Sequence, residues 1–390
     1  FLGVEKSATG GPAWSEGHPL SEAANQLIAS MVRKVGGFTF QELNLTIDDI
    51  HSTSERGADL SYDFVNRPAY HHALAMEDAE FLRLTMRTAR EMGVDTVSLV
   101  HALQNHDEMT YELVHFATLH AGDTFMFRRK PIRGADLATL IRAELTEKIA
   151  GETGTYNALF TTNGIASTLA SVISASLGMA DLSALTNDDV EAIKRAHLLL
   201  AMYNAWQPGV FALSGWDLVG ALPVERKQVA ALIRDGDTRW IHRGAYDLLD
   251  FQPNASESTS KMPKARALYG PLNVQLEDPN SFVSRLREIL AVRDRHGLAT
   301  AQQVDIPAVS NKAMLVLAHR LAEADQVTVL NFSAQTISGS VRSDELQPGS
   351  KVIDMVTGAP VGEVDDLHSL YIVLQPHEGR SLLVTPPVEH

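Results

Sequence analysis

At 390 residues, with 45% apolar and 21% charged positions, the chain has ordinary globular composition and enough length for about two or three domains. Lys plus Arg number 33 against 48 Asp plus Glu, and the resulting charge of −15 argues against a nucleic-acid partner, because phosphate binding wants concentrated positive surface. With no cysteine, disulfides, thiol nucleophiles and cysteine metal sites are all excluded.

The opening FLGVEKSATGG has no basic region ahead of an apolar one, so it does not read as a signal peptide. Ala24, Leu27, Ile28 and Met31 share one face at helical spacing and predict a helix over 23–34, stopped by Gly36-Gly37. FTFQE (38–42) reads as a strand ending in Glu42, and ADLSYDF (58–64) as a second ending near Asp63. Asn66-Arg67-Pro68 opens one long helix to about Met92, terminated by Gly93. A third strand runs from Thr96 to about Leu103 and ends in the polar run Asn105-His106-Asp107-Glu108. Strand, helix, strand with polar residues at the strand ends is the grammar of a parallel α/β sheet, whose active sites gather at the carboxyl edge.

A long segment, 110–205, then intervenes. It contains helices at about 135–149, 163–177 and 188–204, the last started by Thr186 with Asp189 three residues on. It is read as an insertion beside the site. Strand VFALSG (210–215) follows and ends in Trp216-Asp217. Residues 236–270 are polar and aromatic and predict loops over a cavity. A helix at about 279–294 precedes a change of texture near residue 300. The runs 313–321, 326–334, 351–358 and 369–387 are short, β-rich and separated by turn residues, which predicts an all-β sandwich over 301–390. No run of roughly 18 apolar residues marks a membrane span.

The polar run 105–108 is the strongest chemical signal, although a loop start with a capping His106 has the same look. Glu42 alone reads equally well as a solvated edge residue. Together they are better. Parallel strand ends converge on one rim, so Glu42 and Asp107 can share a pocket, and a carboxylate pair with a histidine suits acetal chemistry. Asp63 and Asp217 are further strand-end candidates. Trp240 and Tyr246, beside Arg239, His242, Arg243 and Asp247, suit a sugar face and its hydroxyls. His71-His72 are adjacent and point apart on a helix, so they make no metal pair. No HExxH, GxxxxGK[ST] or GxGxxG pattern occurs.

FQELNL at 40–45 and LQNHDE at 103–108 resemble two conserved regions of the α-amylase superfamily, glycoside hydrolase family 13. The segments 11–21, 40–50, 58–74, 101–116, 207–223 and 235–250 are similar to its maltose-isomerising branch, and the resemblance spans essentially the whole chain. It implies an α/β fold, the second half of a (β/α)8 barrel over 1–300 with strands five to eight at the positions above, followed by the β-sandwich. It implies Glu42 as general acid/base and Asp107 as transition-state stabiliser. His106 would bind sugar hydroxyls, Asn105 would support it, and Glu108 would be an orienting carboxylate. The implied reaction turns maltose into trehalose by a retaining double displacement through a glucosyl-enzyme, with minor hydrolysis to glucose.

The family's nucleophile, an Asp in an arginine-x-aspartate region, has no counterpart here. An upstream segment supplying it, in the same polypeptide or as a separate fragment, is therefore expected, and the isolated chain is expected to be inactive. Sugars are the expected small-molecule partners, with no membrane or nucleic acid. No cofactor is expected beyond a structural calcium with ligands mainly upstream, and a cytoplasmic location is implied. A related α-glucosidase or glucosyltransferase, or a noncatalytic carbohydrate-binding fragment, are the alternatives.

Overall fold

The computed structural model describes residues 5–6, 13–14, 19–42, 46–111, 113–161 and 164–387. Most of the segment 11–21 lies outside them. Four strands pair in parallel in the order Phe40–Gln41, Leu60–Tyr62, Leu99–Ala102, Val210–Ala212. Register is set residue by residue: Phe40 opposes Leu60, Tyr62 opposes Val100, and Val210 opposes Val100 from the other side. Neighbours in sequence are neighbours in the sheet, and all four carboxyl ends face one rim. Helices Ile47–Arg56, Asn66–Met76 and Glu80–Glu91 fill the first two crossovers.

Two expectations are corrected. The helix predicted from 66 to 92 is two helices, because Glu77 at φ 49° reverses the chain, and Ala79 opens the second by donating its N–H to the Lys312 carbonyl at 2.8 Å. The third strand is shorter than its apolar run, since Thr96–Ser98 forms a 3-10 turn capped by Asp95. The stripe Leu27, Ile28, Met31 does form on the helix Pro19–Lys34, but it faces solvent at 50–62% exposure, while Ala29 is buried.

The segment after the third strand holds the expected helices at Gly134–Ala150 and Asn187–Ala205, while the one expected from about 163 is shortened to Leu169–Ser176, because Gly164–Ala166 pairs as a strand and Thr168 caps the helix. Thr186 and Asp189 close the predicted capping box. The segment also holds strands the sequence does not announce. Thr124–Phe127 and Lys130–Arg133 make a hairpin whose turn is Arg128-Arg129, both at positive φ, where Asn-Gly would be the usual signal. Met109–Thr110, Gly164–Ala166 and Ala158–Thr161 make a small antiparallel sheet beside the third parallel strand's end.

Beyond the helix Phe282–Arg295 come an antiparallel six-stranded sheet and a three-stranded one. Met314–Arg320 is buried along nearly its whole length because it is covered on both faces. Met314, Val316 and Ala318 pack inside the sandwich, whereas Leu315 and Leu317 join the large core under the helices. Helix Glu80–Glu91 fastens the two parts. Arg83 and Arg87 donate to the carbonyls of Met314 at 2.5 Å and Ile306 at 2.8 Å, and Arg90 donates to that of Val304. Among the described residues no helix is long and apolar enough to cross a membrane.

Candidate functional site

The carboxyl rim of the parallel sheet brings Glu42, His106 and Asp107 together: one carboxylate oxygen or ring nitrogen from each lies within 4.8 Å of the others. Glu42 follows directly on the first strand, and the other two lie in the loop just after the third. Glu42 and His106 are exposed, and Asp107 is half-buried.

Asp107 is held from two directions. Its Oδ1 accepts from Arg239 Nη1 at 2.9 Å and from Arg243 Nη2 at 3.2 Å, while its Oδ2 lies 3.5 Å from His106 Nε2. Arg239 is itself fixed by a fork onto Asp237, at 2.8 and 3.1 Å, and lies over the Phe160 ring. That pairing with Asp237 raises the Arg239 pKa. The carbonyl of His106 accepts from Arg243 Nε at 2.8 Å and lies 3.1 Å from His242 Nε2. Burial holds the His242 imidazole down at about 4. The loop expected to cover a cavity therefore acts as a clamp on the strand end.

Asn105 is the pivot beneath. Its Oδ1 accepts both from the Asp107 backbone N–H and from buried Arg67, each at 3.2 Å. Glu108 Oε2 lies 3.6 Å from Arg239 Nη1. Asp63 sits lower: buried, it accepts from Asn66 Nδ2 at 2.9 Å and faces His101 Nδ1 at 3.1 Å, tying adjacent strand ends together. Asp217 is likewise structural in its contacts, closing a capping box with Ser214 at the helix Gly215–Val219. Trp240 packs in the cluster with Trp216 and Val219 and carries Arg243 on its face. Tyr246 lies across Trp216 and Gly215, where an added Cβ would come within 2.4 Å of its hydroxyl.

Two contributors are not apparent from the sequence motifs. Tyr62, stacked on Phe64 and met edge-on by Phe40, is half-buried, and burial followed by the charge of Glu42 raises its phenol pKa, with Asp107 adding to the effect. It stays a hydroxyl donor beside both carboxylates. Its signal is its place in the strand, one residue before the Asp63 that the strand-end rule selects. The second is His71, which with Arg67, Gln104, Asn105, Asp107, Glu108 and Ser167 lines a narrow cleft of about 20 Å³. Both His71 ring nitrogens, Gln104 Nε2 and Ser167 Oγ are buried without a hydrogen-bond partner among the described residues. Such atoms cost free energy unless waters or ligand hydroxyls complete them. Burial lowers the His71 pKa to about 3, so the ring offers one donor and one acceptor.

The Glu42–His106–Asp107 set fits calcium poorly, since Ca²⁺ takes about six to eight oxygen ligands and two guanidinium groups already occupy Asp107. A second group, Asp48, His115 and His120, also mixes nitrogen with oxygen and fits calcium no better.

No family model matches the sequence, and no curated protein matches it. Solved structures do. The fold is α-amylase-like. The chain aligns over 95% of its length with trehalulose synthase MutB at TM-score 0.55 and 16% identity, covering 60% of that chain. It aligns over 94% with the α-amylase of Geobacillus thermoleovorans bound to acarbose, at TM-score 0.52 and 15% identity, covering 58% of that chain. Over 96% of its length it aligns with Eubacterium rectale Amy13B, at TM-score 0.55 and 11% identity, covering 58% of that chain. The chain thus spans about three fifths of the length of these enzymes.

Proposed function

We propose that this chain carries the acid/base side of a retaining glucosyl-transfer site, and that the complete protein converts maltose to trehalose. The observation that carries the reading is the convergence of Glu42, His106 and Asp107 within 4.8 Å at the carboxyl edge of a parallel sheet. On this reading residues 1–300 belong to the catalytic barrel and 301–390 to the sandwich. Glu42 protonates the leaving glycosidic oxygen, then acts as base on the returning glucose hydroxyl. Asp107, held by Arg239 and Arg243, and His106 bind the hydroxyls of the ring that becomes cationic, with Asn105 and Glu108 orienting them. The attacking carboxylate comes from a segment outside these 390 residues. Structural neighbours support a carbohydrate substrate: one solved chain carries maltose, another acarbose, and MutB is a trehalulose synthase.

The test is product analysis of the complete enzyme on maltose, with Glu42→Gln as variant. Trehalose as main product is expected, with the variant at least about a hundredfold slower. Glucose as the sole product would leave a glycosidase and remove the isomerase. Near-normal turnover by Glu42→Gln would remove Glu42 from the mechanism.

A further inference from the structure

The first turn of the helix Ile47–Arg56 carries Asp48, whose Oδ2 lies 2.8 Å from His120 Nε2 and 3.5 Å from His115 Nδ1. The two histidines belong to the segment after the third parallel strand, so three donor atoms from two crossovers meet within 4.8 Å. We propose that Asp48, His115 and His120 form a binding site for a zinc-class divalent cation.

Geometry argues first. A tetrahedral ion with bonds of about 2.0–2.1 Å needs donors about 3.3 Å apart, and the two measured edges of 2.8 and 3.5 Å bracket that spacing. Two imidazoles and one carboxylate are a donor set for zinc rather than for calcium or magnesium.

The second argument is an unfilled need. His115 is buried, and its Nδ1, 3.5 Å from Asp48 Oδ2, has no well-formed hydrogen bond among the described residues. An ion at the centre would use that lone pair.

The third is the outer shell. His120 Nδ1 lies 2.6 Å from Asp123 Oδ2, which fixes the ring with Nε2 toward Asp48, as metal-bound histidines are oriented by a carboxylate. The turn is rigid. His120 N–H donates to the His115 carbonyl at 3.1 Å, and Gly134 packs so closely that an added Cβ would meet the His120 carbonyl at 2.2 Å. Asp48 and His120 remain partly exposed, which leaves an entry side. Binding displaces the Nε2 proton of His120 into solvent. The ion would tie the segment behind Glu42 to the segment behind Asp107.

The experiment titrates the chelator-treated chain with Co²⁺, then Zn²⁺. One Co²⁺ per chain with the intense visible bands of tetrahedral coordination, displaced by one Zn²⁺, is expected. Asp123→Asn, which keeps all three ligands, should weaken binding about 10–100-fold, and His120→Asn should abolish it while the circular dichroism spectrum is retained. His106→Gln should bind as the parent does. Absence of stoichiometric binding overturns the proposal. So does cobalt that is lost in His106→Gln and kept in His120→Asn. If His120→Asn fails to fold, Asp123→Asn decides: unchanged affinity there overturns the site.

Discussion

Arg239 and Asp107 are 132 residues apart and meet at 2.9 Å, Nη1 to Oδ1. The same guanidinium is forked onto Asp237, so it reaches Asp107 as a fixed donor rather than a mobile charge. A proposed hydroxyl-binding carboxylate needs such orientation, because small displacement at a reacting centre costs rate.

Substituting Arg239 should therefore act through Asp107. Arg239→Lys keeps the charge but loses the fork, and if the proposed maltose conversion holds, its kcat should fall about tenfold or more. Arg239→Met should fall further. Steady-state kinetics separates this from a purely structural role, which would change the fraction of active enzyme and leave kcat per active site intact.

How much of this was readable in sequence differs by element. The strand ends at Glu42 and Asp107 were legible because an apolar run stopping at a polar cluster has one reading in a parallel sheet. The clamp from Arg239 and Arg243 was legible only as a polar, aromatic loop: its partner lies more than 130 residues away, and no local period encodes that distance. The hairpin at Arg128-Arg129 was hidden for the opposite reason. Its turn uses residues that ordinarily avoid positive φ, so it sends no turn signal. The split at Glu77 was hidden because helix propensity continues across a break that docking on Lys312 imposes.

The buried histidines set a pH dependence of stability. Burial lowers His242, His319 and His377 to about 4, against an unfolded value near 6.5. The unfolded chain therefore takes up protons that the folded chain refuses. Stability from these groups is complete above pH 6.5 and is lost as pH falls from there toward 4, with a slope approaching about 1.4 kcal/mol per pH unit per group. Thermal unfolding between pH 7.5 and 5, a range in which ordinary carboxylates scarcely titrate, should show a falling midpoint. His319→Gln should flatten the curve; an unchanged slope in that variant would assign the loss elsewhere.

Gly209 starts the fourth parallel strand at φ 92°, and an added Cβ would lie 2.3 Å from the Leu99 carbonyl. The strain and the clash add, and neither neighbour is a side chain that can swing away. Gly209→Ala should cost at least about 2 kcal/mol in denaturant unfolding. Gly236, also at positive φ but with open space around its Cβ position, should cost less on the same change, about 1 kcal/mol.

Leu27, Ile28 and Met31 form an exposed apolar stripe on the helix next to the first strand, Phe40–Gln41, which is itself an edge of the parallel sheet. An apolar face beside an open edge is a surface that seeks cover. In this 390-residue chain it should promote concentration-dependent association and binding of a hydrophobic dye. Leu27→Glu with Met31→Glu should suppress both, because the charges sit in solvent at no cost to the core. Equal association in parent and variant, by sedimentation, would show that the stripe is an ordinary wet surface.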